Sequence, residues 1–68
     1  MDPRLSVVVP VFDEADSVEP LHREIDAALA RFGDALEIVL VDDGSRDATP
    51  ERLAAIARKD DRVRVELS

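Results

Sequence analysis

Two short acidic stretches carry the groups that could do chemistry: Asp13-Glu14, and Asp42-Asp43-Gly44-Ser45 with Asp47 close behind. Ionised carboxylates accept hydrogen bonds and also suit hard cations. A group this dense in acid repels phosphate, and Arg46 is the only opposite charge close by in sequence. It suits a ligand that presents N–H and O–H donors, such as a nucleobase edge and ribose hydroxyls, or else a hard cation. The same residues have structural uses. Asp42 could close the turn, Asp47 and Thr49 could cap a helix, and Asp13 and Glu14 could be solvated loop acids. Asp43 is a second acid beyond what one turn needs, and the residues alone leave its use open.

The elements around these stretches determine where the acids stand. Glu37-Ile38-Val39-Leu40-Val41 is a short aliphatic run of the kind buried in a parallel sheet. An unpaired carboxylate is costly inside such a strand, so the change of chemistry at Asp42 marks where the strand leaves the sheet. Gly44 permits a sharp turn there. Leu5 to Val9 is a second aliphatic strand, expected to be buried on both faces and ended by Pro10, with Val11 to Ala15 as its exit loop. Between the two strands, Val18, Leu21, Ile25, Ala28, Leu29 and Phe32 recur at helical spacing. Asp16 or Ser17 could cap that helix, Pro20 falls in its first turn, and Gly33 supplies a left-handed stop. A second helix is expected with Thr49 as cap and Pro50 at its first position. Its inward face is Leu53, Ile56 and Ala57, and it ends at Asp60-Asp61. Val63, Val65 and Leu67 then alternate with Arg64 and Glu66 as a third strand.

The resulting expectation is an α/β chain, one βαβαβ unit with a parallel three-stranded sheet in the order 3-2-1, half of a doubly wound sheet. In such sheets ligands bind beyond the carboxyl ends of the strands, which is where both acidic stretches fall. The two loops must converge; Phe12 and Asp43 on opposite sides of the molecule would end this reading.

Sixty-eight residues allow one small domain. The net charge of −7 argues against a nucleic-acid partner. No cysteine is present, so disulfides and Cys-based metal sites are excluded. No apolar run approaches the ~20 residues of a membrane span. Met1 to Arg4 is a lead-in, and the chain stops at Ser68 after the third strand. The apolar first strand would lie at an open edge in this order, which makes residues 1–68 an expected partial domain. That edge could pair with a second copy to give a homodimer.

The stretches Ser6-Val7-Val8-Val9-Pro10-Val11-Phe12-Asp13-Glu14 and Glu37 to Thr49 together resemble the start of a family 2 glycosyltransferase with the GT-A fold. Within that family the resemblance is to polyprenyl- and dolichyl-phosphate mannose, glucose or aminoarabinose transferases, and it spans essentially the whole chain. It implies that Pro10, Val11, Phe12, Glu14, Val41, Asp42, Asp43 and Gly44 line a nucleotide site. Pro10 and Phe12 would border the base, Glu14 the ribose or base, and Asp43 would contact the base. Asp42 would hold the loop, and Val41 and Gly44 would shape the pocket floor. Asp13 stands where the family usually has Asn, which trades an amide donor for a charge, and Ala48 stands where Gly is common.

The resemblance further implies a transfer of a hexose from a UDP- or GDP-sugar to a polyprenyl phosphate or another acceptor by an inverting enzyme. The Mg²⁺ or Mn²⁺ of that reaction would be held by a D-x-D motif downstream of these residues, and the catalytic base would also lie downstream. The chain therefore resembles the nucleotide-binding part without the catalytic part. It is expected to bind a nucleotide sugar weakly or not at all, to turn nothing over, and to lie in the cytoplasm, its parent protein at the cytoplasmic face of the membrane.

Other residues invite blander readings. His22 is the single histidine and reads as a half-exposed helix-surface residue, and Phe32 as core. Arg58, Lys59, Arg62 and Arg64 read as a solvated basic face, with contact to an anionic membrane surface as the alternative. A receiver-like or other non-catalytic α/β interaction module is the competing function, but here the acid pair follows the second strand and no separate phospho-acceptor Asp is in place. Asp42-Asp43 has adjacent acids, which excludes the Asp-x-Asp of a haloacid-dehalogenase-like phosphatase.

Overall fold

Three aliphatic segments pair as parallel strands, because a helix long enough to carry the chain back lies between each strand and the next. In this computed structural model, residues 5–67 are described. The lead-in Met1 to Arg4 and the terminal Ser68 lie outside them. The elements are β1 (Leu5–Val11), α1 (Val18–Ala28), a 3-10 stretch (Ala30–Ala35), β2 (Leu36–Asp42), α2 (Thr49–Lys59) and β3 (Val63–Leu67). The sheet order is β1-β2-β3 with β2 central, the same order as 3-2-1. In register, Ile38 stands between Val7 and Val63, Leu40 between Val9 and Val65, and Asp42 between Val11 and Leu67.

All of those positions lie on one face of the sheet. Val7, Val9, Val11, Ile38, Leu40, Val63 and Val65 pack with Val18, Leu21, Ile25 and Leu29 of the first helical segment and Leu53, Ile56 and Ala57 of α2 to form the core, while Leu67 stays 69% exposed. Both helices therefore cover the same face and touch each other. Two successive crossovers of one hand, each stepping the same way along the sheet, produce this arrangement. It also corrects the expectation that β1 is buried on both faces. Ser6, Val8 and Pro10 point away from the helices and are exposed, Val8 by 63%.

Pro10 does not end β1. It stays in the strand, beside Val41. The amide of Asp43 donates to the carbonyl of Val11, so Val11 faces β2 with its hydrogen-bonding groups. In a parallel strand these groups alternate, which turns the nitrogen of Pro10 to the open edge, where no ladder bond is lost. Val11 is thus a strand residue of the core and not part of the exit loop.

The helix boundaries also depart from expectation. α1 ends at Ala28, and Ala28 is exposed and not on the buried stripe. Gly33 has a positive φ of 53° but a ψ of −128°, a glycine conformation inside the 3-10 stretch and not a left-handed helical stop. Ser17 precedes α1 without a side-chain cap bond. Ala48 occupies the cap position of α2, so Thr49 is its first helical residue and is free for another use.

A second polar cluster closes the amino end of the sheet. The Arg62 Nε donates to Asp60 Oδ1 at 2.9 Å, and Nη2 donates to Asp60 Oδ2 at 2.7 Å and Asp26 Oδ1 at 2.6 Å. His22 Nε2 lies 2.9 Å from Asp60 Oδ2. Hydrogen bonding by Arg62 holds the Asp60 carboxyl well below the usual carboxylate range, and Asp60 and Asp26 in turn push the Arg62 guanidinium up. This cluster ties α1, the end of α2 and the start of β3 together. It takes Arg62 out of the solvated basic face, whereas Arg64 stays exposed and pairs at the surface with Glu37 and Glu66.

Candidate functional site

The β1–α1 loop and the β2–α2 loop leave the carboxyl ends of adjacent strands and are bonded to one another. The amide of Asp13 donates to Ser45 Oγ at 2.8 Å, and the amide of Arg46 donates back to Asp13 Oδ1 at 2.8 Å. The Glu14 amide donates to Thr49 Oγ1 at 2.9 Å, and the Ala15 amide to Asp47 Oδ2 at 3.3 Å. Three consecutive backbone N–H groups of the first loop are therefore spent on side chains of the second. The convergence demanded by the sequence is present, with Phe12 and Asp43 each one residue beyond paired strand ends.

Each acid of the edge has a distinct situation. Asp42 is 1% exposed and accepts from the Ser45 amide at 3.0 Å, which satisfies its burial and sets the turn. Asp13 has a φ of 48°, a conformation that aspartate and asparagine tolerate better than most residues. Its carboxylate acts as an acceptor, a role that the oxygen of an Asn would also fill. Asp47 accepts from the Thr49 amide at 2.8 Å and from the Thr49 hydroxyl, and these bonds hold its carboxyl below the ordinary value. Thr49 is fully buried and links Asp47 to the first loop. Gly44 turns the second loop with a φ of 81°, in the left-handed region that favours glycine.

Left exposed at this edge are Phe12, by 54%, with Glu14, Asp43, Gly44 and the side chain of Arg46. Pro10 and Val41 sit side by side on the sheet face away from the helices. Val11 is directed into the core and Asp42 into the loop, so these two support the site from within. Asp13, Ser45, Asp47 and Thr49 build its frame. The sequence signal for Ser45 and Thr49 was a hydroxyl just after Gly44 and another at the end of the turn, readable only as local turn and capping chemistry. Among the described residues no three carboxylate or imidazole groups converge to hold a metal ion. A concavity of about 360 Å³ lies at the other end of the sheet, lined by Asp34, Glu37, Asp61, Arg62 and Arg64 among others. It belongs to the amino-end cluster and is remote from the convergent loops.

Comparison with known proteins bears on this edge. Residues 6–67 match the family model described as Glycosyl transferase family 2. An undecaprenyl-phosphate 4-deoxy-4-formamido-L-arabinose transferase of Pseudomonas aeruginosa (strain LESB58) is 52% identical over 56 residues, 82% of this chain and 16% of the relative. A dodecaprenyl-phosphate galacturonate synthase of Rhizobium johnstonii is 51% identical over 45 residues, 66% of this chain and 13% of the relative. Among solved structures, the mannosyltransferase PcManGT from Pyrobaculum calidifontis, in complex with GDP-Man and Mn²⁺, superposes with a TM-score of 0.76 at 31% identity. That match covers all of this chain and 19% of the mannosyltransferase. The chain thus spans less than a fifth of the proteins it matches, and a receiver-like module is not the family found. It belongs to glycosyl transferase family 2, and its three-stranded α/β layer is part of the GT-A fold.

Proposed function

We propose that this chain supplies the base- and ribose-binding edge of a glycosyltransferase that moves a sugar from a nucleotide sugar to a polyprenyl phosphate. The observation that carries the reading is the pair of cross-bonded loops, which leaves Phe12, Glu14 and Asp43 together and free at the carboxyl edge. Phe12 offers a face for a base, and Glu14 and Asp43 offer acceptors for N–H and O–H donors. Pro10, Val41 and Gly44 border the same edge. The amides of residues 13 to 15 are already satisfied, and the carboxylates here outnumber the one exposed guanidinium, that of Arg46, so the edge is poorly suited to pyrophosphate. The relatives named as acting on undecaprenyl and dodecaprenyl phosphates support the acceptor class.

The GDP-Man and Mn²⁺ of the solved mannosyltransferase support a nucleotide sugar and a divalent cation as the reaction's partners. The described residues do not fit the cation, and its ligands are assigned outside this chain. In the parent protein the edge works at the cytoplasmic face of the membrane, where a polyprenyl phosphate would be met.

Amide-resolved NMR titration with UDP and with GDP tests the reading. Shifts confined to residues 12–14 and 43–45 at millimolar nucleotide are expected. No response to either nucleotide, or a response centred on Arg62 and Arg64, would overturn it. Titration calorimetry gives a second check: micromolar affinity without metal would contradict the assignment of phosphate binding to residues elsewhere.

A further inference from the structure

We infer that Asp13, Ser45 and Thr49 are positioning residues: they form a clasp between the two loops that holds Phe12 and Asp43 at the spacing a nucleoside requires. This inference rests on the nucleotide-binding reading and deepens it, because none of the three need touch the ligand. The clasp runs in both directions. Asp13 donates its amide to Ser45 Oγ and receives the Arg46 amide on Oδ1, each at 2.8 Å. One position further along the first loop, and four along the second, the Glu14 amide reaches the buried Thr49 hydroxyl at 2.9 Å. Each of these groups is beside a residue that faces outward: Asp13 lies between Phe12 and Glu14, and Ser45 lies two residues after Asp43.

The bonds explain a backbone feature that otherwise has no role. Asp13 adopts a φ of 48°, which costs an ordinary side chain free energy and favours Asn, Asp or Gly. Reversing the chain there aims the amide of Asp13 at Ser45 while its own carboxylate reaches the Arg46 amide. The loops are then fixed before any ligand arrives, which lowers the ordering cost of binding. Two properties are required at position 13: an oxygen acceptor and tolerance of positive φ. Charge is not among them.

The test compares Asp13→Ala, Asp13→Asn and Ser45→Ala with the unchanged chain. Affinity for UDP and GDP is read by amide NMR, and amide hydrogen exchange is followed without ligand. Asp13→Ala and Ser45→Ala should each weaken nucleotide binding about tenfold, while Asp13→Asn stays within about twofold of the unchanged chain. Amides 13, 14 and 46 should exchange slowly in the unchanged chain and faster in Ser45→Ala, with β2 amides unaltered. A loss in Asp13→Asn equal to that in Asp13→Ala would overturn the clasp and make the charge itself the requirement. Fast exchange of all three amides in the unchanged chain would overturn it as well. An unchanged chain that shows protected amides but ignores both nucleotides refutes the functional reading, and with it the positioning role. If Ser45→Ala fails to fold, Thr49→Ser against Thr49→Val supplies the same comparison at the second bond.

Discussion

Replacing Arg62 with Ala should remove a large part of this protein's stability and change how that stability depends on pH. Arg62 gives Asp60 two side-chain hydrogen bonds and a backbone one, at 2.9, 2.7 and 3.0 Å. The two side chains are only 18% and 13% exposed, so water replaces the lost partner poorly. Hydrogen bonds to charged groups are worth about 1.5–3 kcal/mol net, and stranding one member of a buried pair costs about 3–5 kcal/mol. His22 stays 2.9 Å from Asp60 in the variant and offsets part of the loss. A cost of about 2–3 kcal/mol follows. A 68-residue domain has about 3–10 kcal/mol in all, so the midpoint of urea unfolding should fall sharply.

The sign of the pH effect follows from the direction of the Asp60 shift. Its folded-state carboxyl titrates below the ordinary aspartate value. The stabilisation is therefore fully present above the unfolded value of about 3.9 and is lost as pH falls toward the lower folded value. In Arg62→Ala that acid-side slope should flatten. The chain has no Trp or Tyr, so far-UV circular dichroism during urea titration at several pH values is the suitable assay. Asp26→Ala is the control: Asp26 is 54% exposed, and its pair with Arg62 should contribute under about 1 kcal/mol. A loss below about 0.5 kcal/mol in Arg62→Ala, with the acid slope intact, would refute the reasoning.

Leu53 is fully buried on the inward face of α2, and Leu53→Ala should cost about 2–5 kcal/mol, leaving much of the population unfolded by circular dichroism, whereas Leu53→Met should cost under about 1.5 kcal/mol. Gly44 has open space where a Cβ would stand, so Gly44→Ala should cost only the backbone term, about 1–2 kcal/mol by urea unfolding. The Asp47 carboxyl should titrate below the ordinary aspartate value by carboxyl-detected NMR, and Thr49→Val should bring it back toward that value, because the Thr49 bonds are the main cause of the shift.

Much of the architecture was legible because it depends on local pattern. Three aliphatic runs separated by two amphipathic segments can pair in parallel only through helical crossovers, and the switch from Val41 to Asp42 marked the strand exit. β1 was misjudged in two ways for one reason. Its composition cannot reveal that both helices go to the same side, so Val8 is exposed and Pro10 is accommodated at an open edge. Thr49 shows the same limit at the site: a Thr before Pro and Glu has the chemistry of a helix cap, yet its hydroxyl serves a loop 35 residues away. The cluster of His22, Asp26, Asp60 and Arg62 joins α1 to the turn between α2 and β3 and left no local trace.

The sequence by itself determined the order of elements, the parallel sheet and the placement of two acidic stretches at one edge, because hydrophobic periodicity and the cost of burying charge act residue by residue. Only the tertiary structure decided which acids are spent and which are free. Asp42 accepts from an amide three residues on, a local turn bond, but Asp13 and Asp47 are engaged by the Arg46 and Ala15 amides that folding brings within reach, whereas Asp43 and Glu14 face outward. Hydrogen-bond partners separated by more than 30 residues are set by how the strands pair, and no spacing rule along the chain encodes them.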